Sequence, residues 1–152
     1  MPKTKEQLIA ELDQARDVMR QLIKDLDTQC EVYPTWTVKE LLSHITGWDD
    51  GCIASLNAHL TGDVPVTPAA RGIDYYNSTT VYERQALPLE HVIREWETTR
   101  ETLKQMIRSL PESKFYEPFT FIWGEKGTLE DMVNIFTHHE MEHAKEIRGK
   151  ML

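Results

Sequence analysis

Residues 128–148 read TLEDMVNIFTHHEMEHAKEIR, and this stretch decides the fold. Thr128 followed three positions later by Asp131 is a helix start, a hydroxyl capping the first turn. Met132, Phe136, His139, His143 and Ile147 then recur at spacings of three and four, the inward line of an amphipathic helix over 129–148. Leucine or isoleucine is usual at such positions, yet two successive ones hold histidine. Four residues is little more than one turn, so both imidazoles leave from nearly the same face. Each ring carries two polar nitrogens, and burying them without partners is costly.

Working outward, residues 36–48, WTVKELLSHITGW, give a second helix. Pro34 breaks the chain before it, and Thr37 with Glu40 forms a capping-box signature. The helix is expected from Val38 to about Leu60, with Leu41, Ile45, Trp48, Cys52 and Leu56 inward and His44 bordering that stripe. Gly47 weakens a helix interior by about 1 kcal/mol relative to alanine, which points to close approach of another element. Two helices packed through these faces would bring His44, His139 and His143 together.

Two more helices complete the pattern. The first is expected from Thr4 to Leu26 on Leu8, Leu12, Ala15, Met19, Leu22 and Leu26. Another starts near Pro88, with Val92, Trp96, Thr99, Leu103, Ile107 and Leu110 inward. Gly62, Pro65, Pro68 and Gly72 mark an exposed crossover, and 73–85 fits a short helix. Residues 111–127 are irregular and aromatic (Phe115, Tyr116, Phe119, Phe121, Trp123), which suits a lid on the bundle end. No stretch alternates at period two, so no sheet is expected. The reading is all-α: a four-helix bundle with a long crossover between its second and third long helices, one domain over 1–152.

Composition narrows the function. Charged residues make up 28% and apolar residues 40%, with a formal net charge of −8. Such a balance argues against nucleic acid and against an anionic membrane as partner. No apolar run approaches the roughly 18 residues of a membrane span, and the N-terminus lacks a signal-peptide core, so the expected compartment is the cytoplasm. Cys30 and Cys52 lack CxxC spacing and are expected reduced, Cys52 as a small buried residue.

A divalent metal would satisfy three inward imidazole nitrogens directly. Hydrogen-bonded core histidines are the other reading of the same pattern. Residues 139–143 also match His-Glu-x-x-His literally, with Glu140 in the base position of a zinc protease. Against a protease stand the all-helical setting and the lack of a third ligand beyond Glu146. His138 points about 100° from the pair and is expected exposed or outside the ligand set. His59 and His91 are expected at the surface.

Taken in order, residues 36–48, the His139/His143 pair, Asn77-x-x-x-Val81-x-x-Arg84 and the Trp123-Gly124 turn resemble the DinB-like superfamily of four-helix bundles over nearly the whole chain. That resemblance implies a divalent metal, zinc or nickel, on His44, His139 and His143. It implies a small-molecule substrate, with bacillithiol or mycothiol S-transferases among the relatives. The N-terminal helix also resembles the colibactin self-resistance group. On this reading the protein is a metal-dependent enzyme acting on a small electrophile, of thiol S-transferase or hydrolase type. A noncatalytic metal- or ligand-binding bundle is the alternative. A metal would lower the pKa of a bound thiol or water. Trp48, Tyr75, Tyr76 and Trp123 would wall the pocket, or serve as ordinary core. Asn77 and Arg84 would orient an anionic substrate, or cap a helix and form an ion pair. Glu95, Glu140 and Glu142 are the only obvious general bases, and no dinucleotide or phosphate fingerprint is present. Neutral ligand histidines predict metal release as pH falls through about 6. Two-fold dimers are the commonest oligomers, so a homodimer is expected.

Overall fold

The computed structural model describes residues 2–66 and 68–151. Four long helices carry the fold. Helix α1 (Lys5–Lys24) is capped by Thr4, whose hydroxyl accepts from the Gln7 N–H while Gln7 accepts from the Thr4 N–H. Helix α2 (Val38–Thr61) opens on the Thr37/Glu40 box and stops at Gly62, which turns left-handed at φ 78°. Residues 62–88 form the crossover. It contains a short 3-10 turn, Pro68–Arg71, and helix α3 (Ile73–Glu83). Helix α4 (Leu89–Ser109) follows, with Pro88 just outside it as the N-cap. Helix α6 (Leu129–Lys150) closes the bundle under the Thr128/Asp131 box.

The core shows how these helices run. Leu8 and Leu12 of α1 share one apolar cluster with Leu56 of α2, Leu103 and Ile107 of α4 and Met132 and Phe136 of α6. Met19 and Leu22 share the other with Val38 and Leu41, Val92 and Trp96, and Ala144 and Ile147. Thus α1 and α6 run in one direction and α2 and α4 in the other. The parallel pair α2 and α4 is what requires the long crossover. Gly47 meets that crossover as its sequence position implied: a Cβ there would lie 2.5 Å from the Thr80 side chain of α3. Tyr76 donates its hydroxyl to the Gly47 carbonyl at the same contact.

Residues 111–127 close the α1-start, α2-end side of the bundle. Helix α5 (Glu112–Phe115) leads into a small antiparallel ladder, β1 (Phe119–Thr120) against β2 (Lys126–Gly127). This corrects the expectation of no sheet: two residues per strand are too few to show a period-two pattern. Phe115, Phe119 and Phe121 are buried. His59 is also buried, contrary to the surface position expected for it. It stacks on Phe119 at 4.4 Å between centroids, and its Nε2 meets the Lys114 carbonyl at 2.9 Å. A helix-end histidine reads as exposed until a segment distant in sequence folds over it.

Between the two apolar clusters lies a layer the sequence reading missed. Arg16, Asp49, Arg100 and Glu140, one from each long helix, are all at most 2% exposed. Arg16 Nε donates to Glu140 Oε1 at 2.8 Å and Arg16 Nη2 to Asp49 Oδ2 at 3.0 Å. Arg100 Nη2 bridges Asp49 Oδ1 at 3.0 Å and Glu140 Oε2 at 2.8 Å. Arg100 Nε donates to Asp49 Oδ2 at 3.3 Å, the Nη1 groups of Arg16 and Arg100 reach the Trp96 and Leu12 carbonyls, and Arg16 stacks over the Trp96 ring. Two positive and two negative groups thus satisfy one another, the condition under which buried charge is tolerated. In α4 the inward position is Arg100 rather than Thr99. No helix among the described residues is long and apolar enough to cross a membrane. Both cysteines are free, Cys30 exposed and Cys52 buried, where burial raises the Cys52 thiol pKa.

Candidate metal centre

Where α2 passes α6, the three histidines meet. His44 Nε2 lies 3.2 Å from His139 Nε2, and His143 Nε2 lies 2.9 Å from that same atom. One ligand nitrogen from each falls within 4.8 Å of the others, the only such group of three metal-binding side chains among the described residues. His44 is 5% exposed; His139 and His143 are partly buried. Burial, then the neighbouring rings, pushes the His44 pKa down to about 3. Burial and His143 push His139 down to about 4, and burial lowers His143. All three rings are therefore neutral at pH 7 and keep a lone pair.

The turn before α2 orients one ring. Tyr33 donates its hydroxyl proton to Glu146 Oε2 at 2.9 Å, and its oxygen lies 2.8 Å from His143 Nδ1. Burial, then the Glu146 carboxylate, raises the Tyr33 phenol, so it stays protonated. With its O–H directed at Glu146, the Tyr33 oxygen accepts from His143 Nδ1–H. The His143 lone pair is then on Nε2, facing the cluster. Such an outer partner fixes the tautomer of a metal-binding histidine. Trp36, from the same turn, packs its ring 5.2 Å from that of His44. Thr35 between them sits at φ 67°, a left-handed conformation unusual for a β-branched residue. Tyr33 escaped the sequence reading; the clue was an aromatic beside Pro34 just upstream of the His44 helix.

The cluster fits a cation better than it fits hydrogen bonding alone. A neutral imidazole has one N–H, so His139 Nε2 can serve only one of its two neighbours. Metal–nitrogen bonds of about 2.0–2.1 Å give nitrogen pairs about 3.3 Å apart in a tetrahedron and about 2.9 Å apart on an octahedral face. The two contacts, at 3.2 and 2.9 Å, lie in that range.

Two cavities open onto the histidines. One of about 370 Å³ is walled by Trp48, Trp123 and Phe136. Another of about 340 Å³ carries Trp36, Glu142 and Glu146. His44, His139 and Asn77 line both. Trp48 is core and wall at once, and its Nε1–H donates to Asn77 Oδ1 at 2.7 Å. Arg84 lines neither cavity. It binds Asp50 at 2.7 Å and Glu95 at 3.0 Å, and donates to the Thr80 carbonyl. Tyr76 is buried against Trp48, while Tyr75 is exposed and bonded to Arg71.

Of the candidate bases, Glu140 follows His139 but turns into the charge layer, held by both arginines. Its position in the sequence match is therefore not that of a protease base beside a metal. Glu95 is engaged by Arg84 and His91. Glu142 alone lies beside the histidines. His138 is exposed, and His91 keeps 44% of its side chain exposed.

A bundle of two parallel helix pairs, with a histidine cluster between α2 and α6, defines the class. The chain belongs to the DinB superfamily, whose family model matches residues 11–147. No curated protein matches it. Among solved structures it is similar to an uncharacterised protein from Clostridium difficile 630 (14% identity, 99% of this chain and 97% of that one, TM-score 0.80). It is also similar to YfiT from Bacillus subtilis, described as a probable metal-dependent hydrolase with an unusual four-helix bundle topology (15%, 99% and 93%, TM-score 0.66). A third is the colibactin self-resistance protein ClbS, solved in complex with double-stranded DNA (14%, 98% and 96%, TM-score 0.78). The ClbS complex overturns the exclusion of nucleic acid drawn from net charge. A formal charge of −8 sums the entire surface, whereas a duplex meets one face, so the total does not exclude the contact.

Proposed function

We propose that His44, His139 and His143 hold one divalent cation, zinc or nickel, and that the protein is a metal-dependent enzyme acting on a small electrophile, of hydrolase or thiol S-transferase type. The observation that carries this reading is the convergence of three neutral Nε2 atoms, one oriented by Tyr33. The likeness to YfiT favours the hydrolase arm. Once bound, the cation would lower the pKa of a coordinated water or thiol and so supply a nucleophile at neutral pH.

The remaining roles belong to this chain's own residues. Tyr33 and Glu146 hold His143 in its binding tautomer. Glu142, which lines the cavity that the three histidines share, accepts the proton released by the nucleophile. Trp48, Trp123 and Phe136 exclude water from the substrate, and Asn77 contacts it. Arg84 is a positioning residue: it ties the end of α3 to α2 through Asp50 and to α4 through Glu95, and so keeps Asn77 facing the cavity. The same reading takes residues 1–152 as one folding unit and places the protein in the cytoplasm as a homodimer, which light scattering tests.

Turnover of aryl esters, amides and a thiol with chlorodinitrobenzene is to be compared in chelator-stripped, zinc-loaded and nickel-loaded protein. Turnover should require metal, vanish in the His139→Ala/His143→Ala variant and fall roughly 100-fold in Glu142→Gln. Bound metal without turnover of any of these would leave a noncatalytic metal-binding bundle.

A further inference from the structure

The two cavities beside the histidines specify more than a generic small molecule. Their charged lining, apart from the histidines, is entirely acidic: Glu125 on the larger one, Glu142 and Glu146 on the smaller. No lysine or arginine lines either, and the nearby Arg84 is engaged by Asp50 and Glu95. The larger cavity is otherwise aromatic and aliphatic, with Ile73 and Ile135 at its mouth 52% and 43% exposed. Its volume of about 370 Å³ sits within the range of small-ligand pockets.

One neutral donor interrupts that apolar wall. The Asn77 oxygen accepts the Trp48 Nε1–H at 2.7 Å, which fixes the amide plane and assigns the NH₂ to the other side. No hydrogen bond to that NH₂ group is formed among the described residues. A donor on an apolar wall selects a ligand with an acceptor oxygen, because one without it leaves the amide desolvated and unpaired.

We propose that the larger cavity binds an uncharged aromatic carbonyl compound, an ester or amide of about two-ring size. Its ring lies among Trp48, Trp123 and Phe136, and its carbonyl oxygen accepts from Asn77 Nδ2–H. In the metal-free site an anionic ligand would meet only carboxylates around the opening; a cation on the histidines would offset them, so the charge preference is read without metal. The inference rests on the same site as the proposed function, but concerns binding rather than the metal.

The test is a titration of tryptophan fluorescence in chelator-stripped and in zinc-loaded protein with three probes: 1-naphthaleneacetamide, 2-naphthalenesulfonate (an anion that is a poor metal ligand) and 1-ethylnaphthalene. Metal content is measured in each sample. In the stripped protein the amide should bind at least about tenfold tighter than the sulfonate, the scale of one charge effect of about 1.4 kcal/mol. It should bind roughly three- to tenfold tighter than ethylnaphthalene, the scale of one neutral hydrogen bond. Asn77→Leu should remove the second preference. Glu125→Gln, at an exposed position, should narrow the first without disturbing the fold. Equal or tighter sulfonate binding by the stripped protein, or an Asn77→Leu variant with unchanged preferences, overturns the proposal. Metal-loaded protein that ignores all three probes overturns it too while leaving the metal reading standing. Protein that takes up no metal yet prefers the amide upholds the proposal and removes the metal reading.

Discussion

Two polar clusters sit within one bundle, one buried and one partly buried, and they differ in how far their groups are satisfied. The Arg16–Asp49–Arg100–Glu140 layer is saturated: every guanidinium edge meets a carboxylate or a carbonyl, and opposite charges balance. The His44–His139–His143 cluster is unsaturated: its three Nε2 atoms face one another, and His139 Nε2 can serve only one of its two neighbours. The two clusters are adjacent, since Glu140 follows His139 and points the other way. A saturated cluster can fix the register of four helices and do nothing else. An unsaturated one is left open to a partner, and the proposed metal site rests on this difference.

Breaking the saturated cluster should have the largest effect. Glu140→Ala leaves two guanidinium groups buried with one carboxylate between them. Denaturant unfolding should show a loss of roughly 3–5 kcal/mol. His139→Ala/His143→Ala should instead leave the metal-free protein near its original stability and abolish the stabilisation that added zinc confers. If the two variants behaved alike, the contrast between the clusters would be wrong.

Acid sharpens the comparison next. His44 and His139 have folded pKa values near 3 and 4, below the ordinary histidine value of about 6.5. Between those limits the unfolded chain binds more protons, so this stabilisation is complete above pH 6.5 and is lost as pH falls toward 4. Thermal melts of the metal-free protein should fall across that window, and His44→Ala/His139→Ala should flatten the slope. The depressed values also move metal release below the pH of about 6 that unperturbed histidines would give. Metal should remain bound at pH 6 and leave as pH approaches 4.

The bundle itself was legible because its signals are local. Spacings of three and four marked the long helices, and the Thr37/Glu40 and Thr128/Asp131 boxes marked two of their starts. Gly47 announced the close approach of α3. Meeting of His44 with the His139/His143 pair followed from the faces they occupy. The charge layer escaped notice because isolated Arg, Asp and Glu read as surface. Yet each sits at a core position. Arg16 is four after Leu12 and three before Met19; Asp49 stands likewise between Ile45 and Cys52, and Arg100 between Trp96 and Leu103. Four charges of balanced sign in matching inward positions are a signal that a single helix cannot display. Burial of His59 and the Tyr33 contact depend on segments far apart in sequence, which no local pattern carries.

Two smaller effects refine the unsaturated side. Tyr33→Phe removes the acceptor for His143 Nδ1–H, and zinc affinity measured by chelator competition should weaken about 10- to 100-fold while helix content stays unchanged. Thr35→Gly relieves the left-handed conformation of that turn; a gain of up to about 1 kcal/mol in unfolding free energy is expected, with zinc affinity kept.

The central claim is that the three histidines form a cluster completed by a metal. Calorimetric titration of zinc and of nickel into chelator-stripped, untagged protein, beside the His139→Ala/His143→Ala variant, tests it directly. One ion per chain in the parent and none in the variant is the predicted result. No uptake of either metal by the parent, in protein that remains folded, would contradict the account.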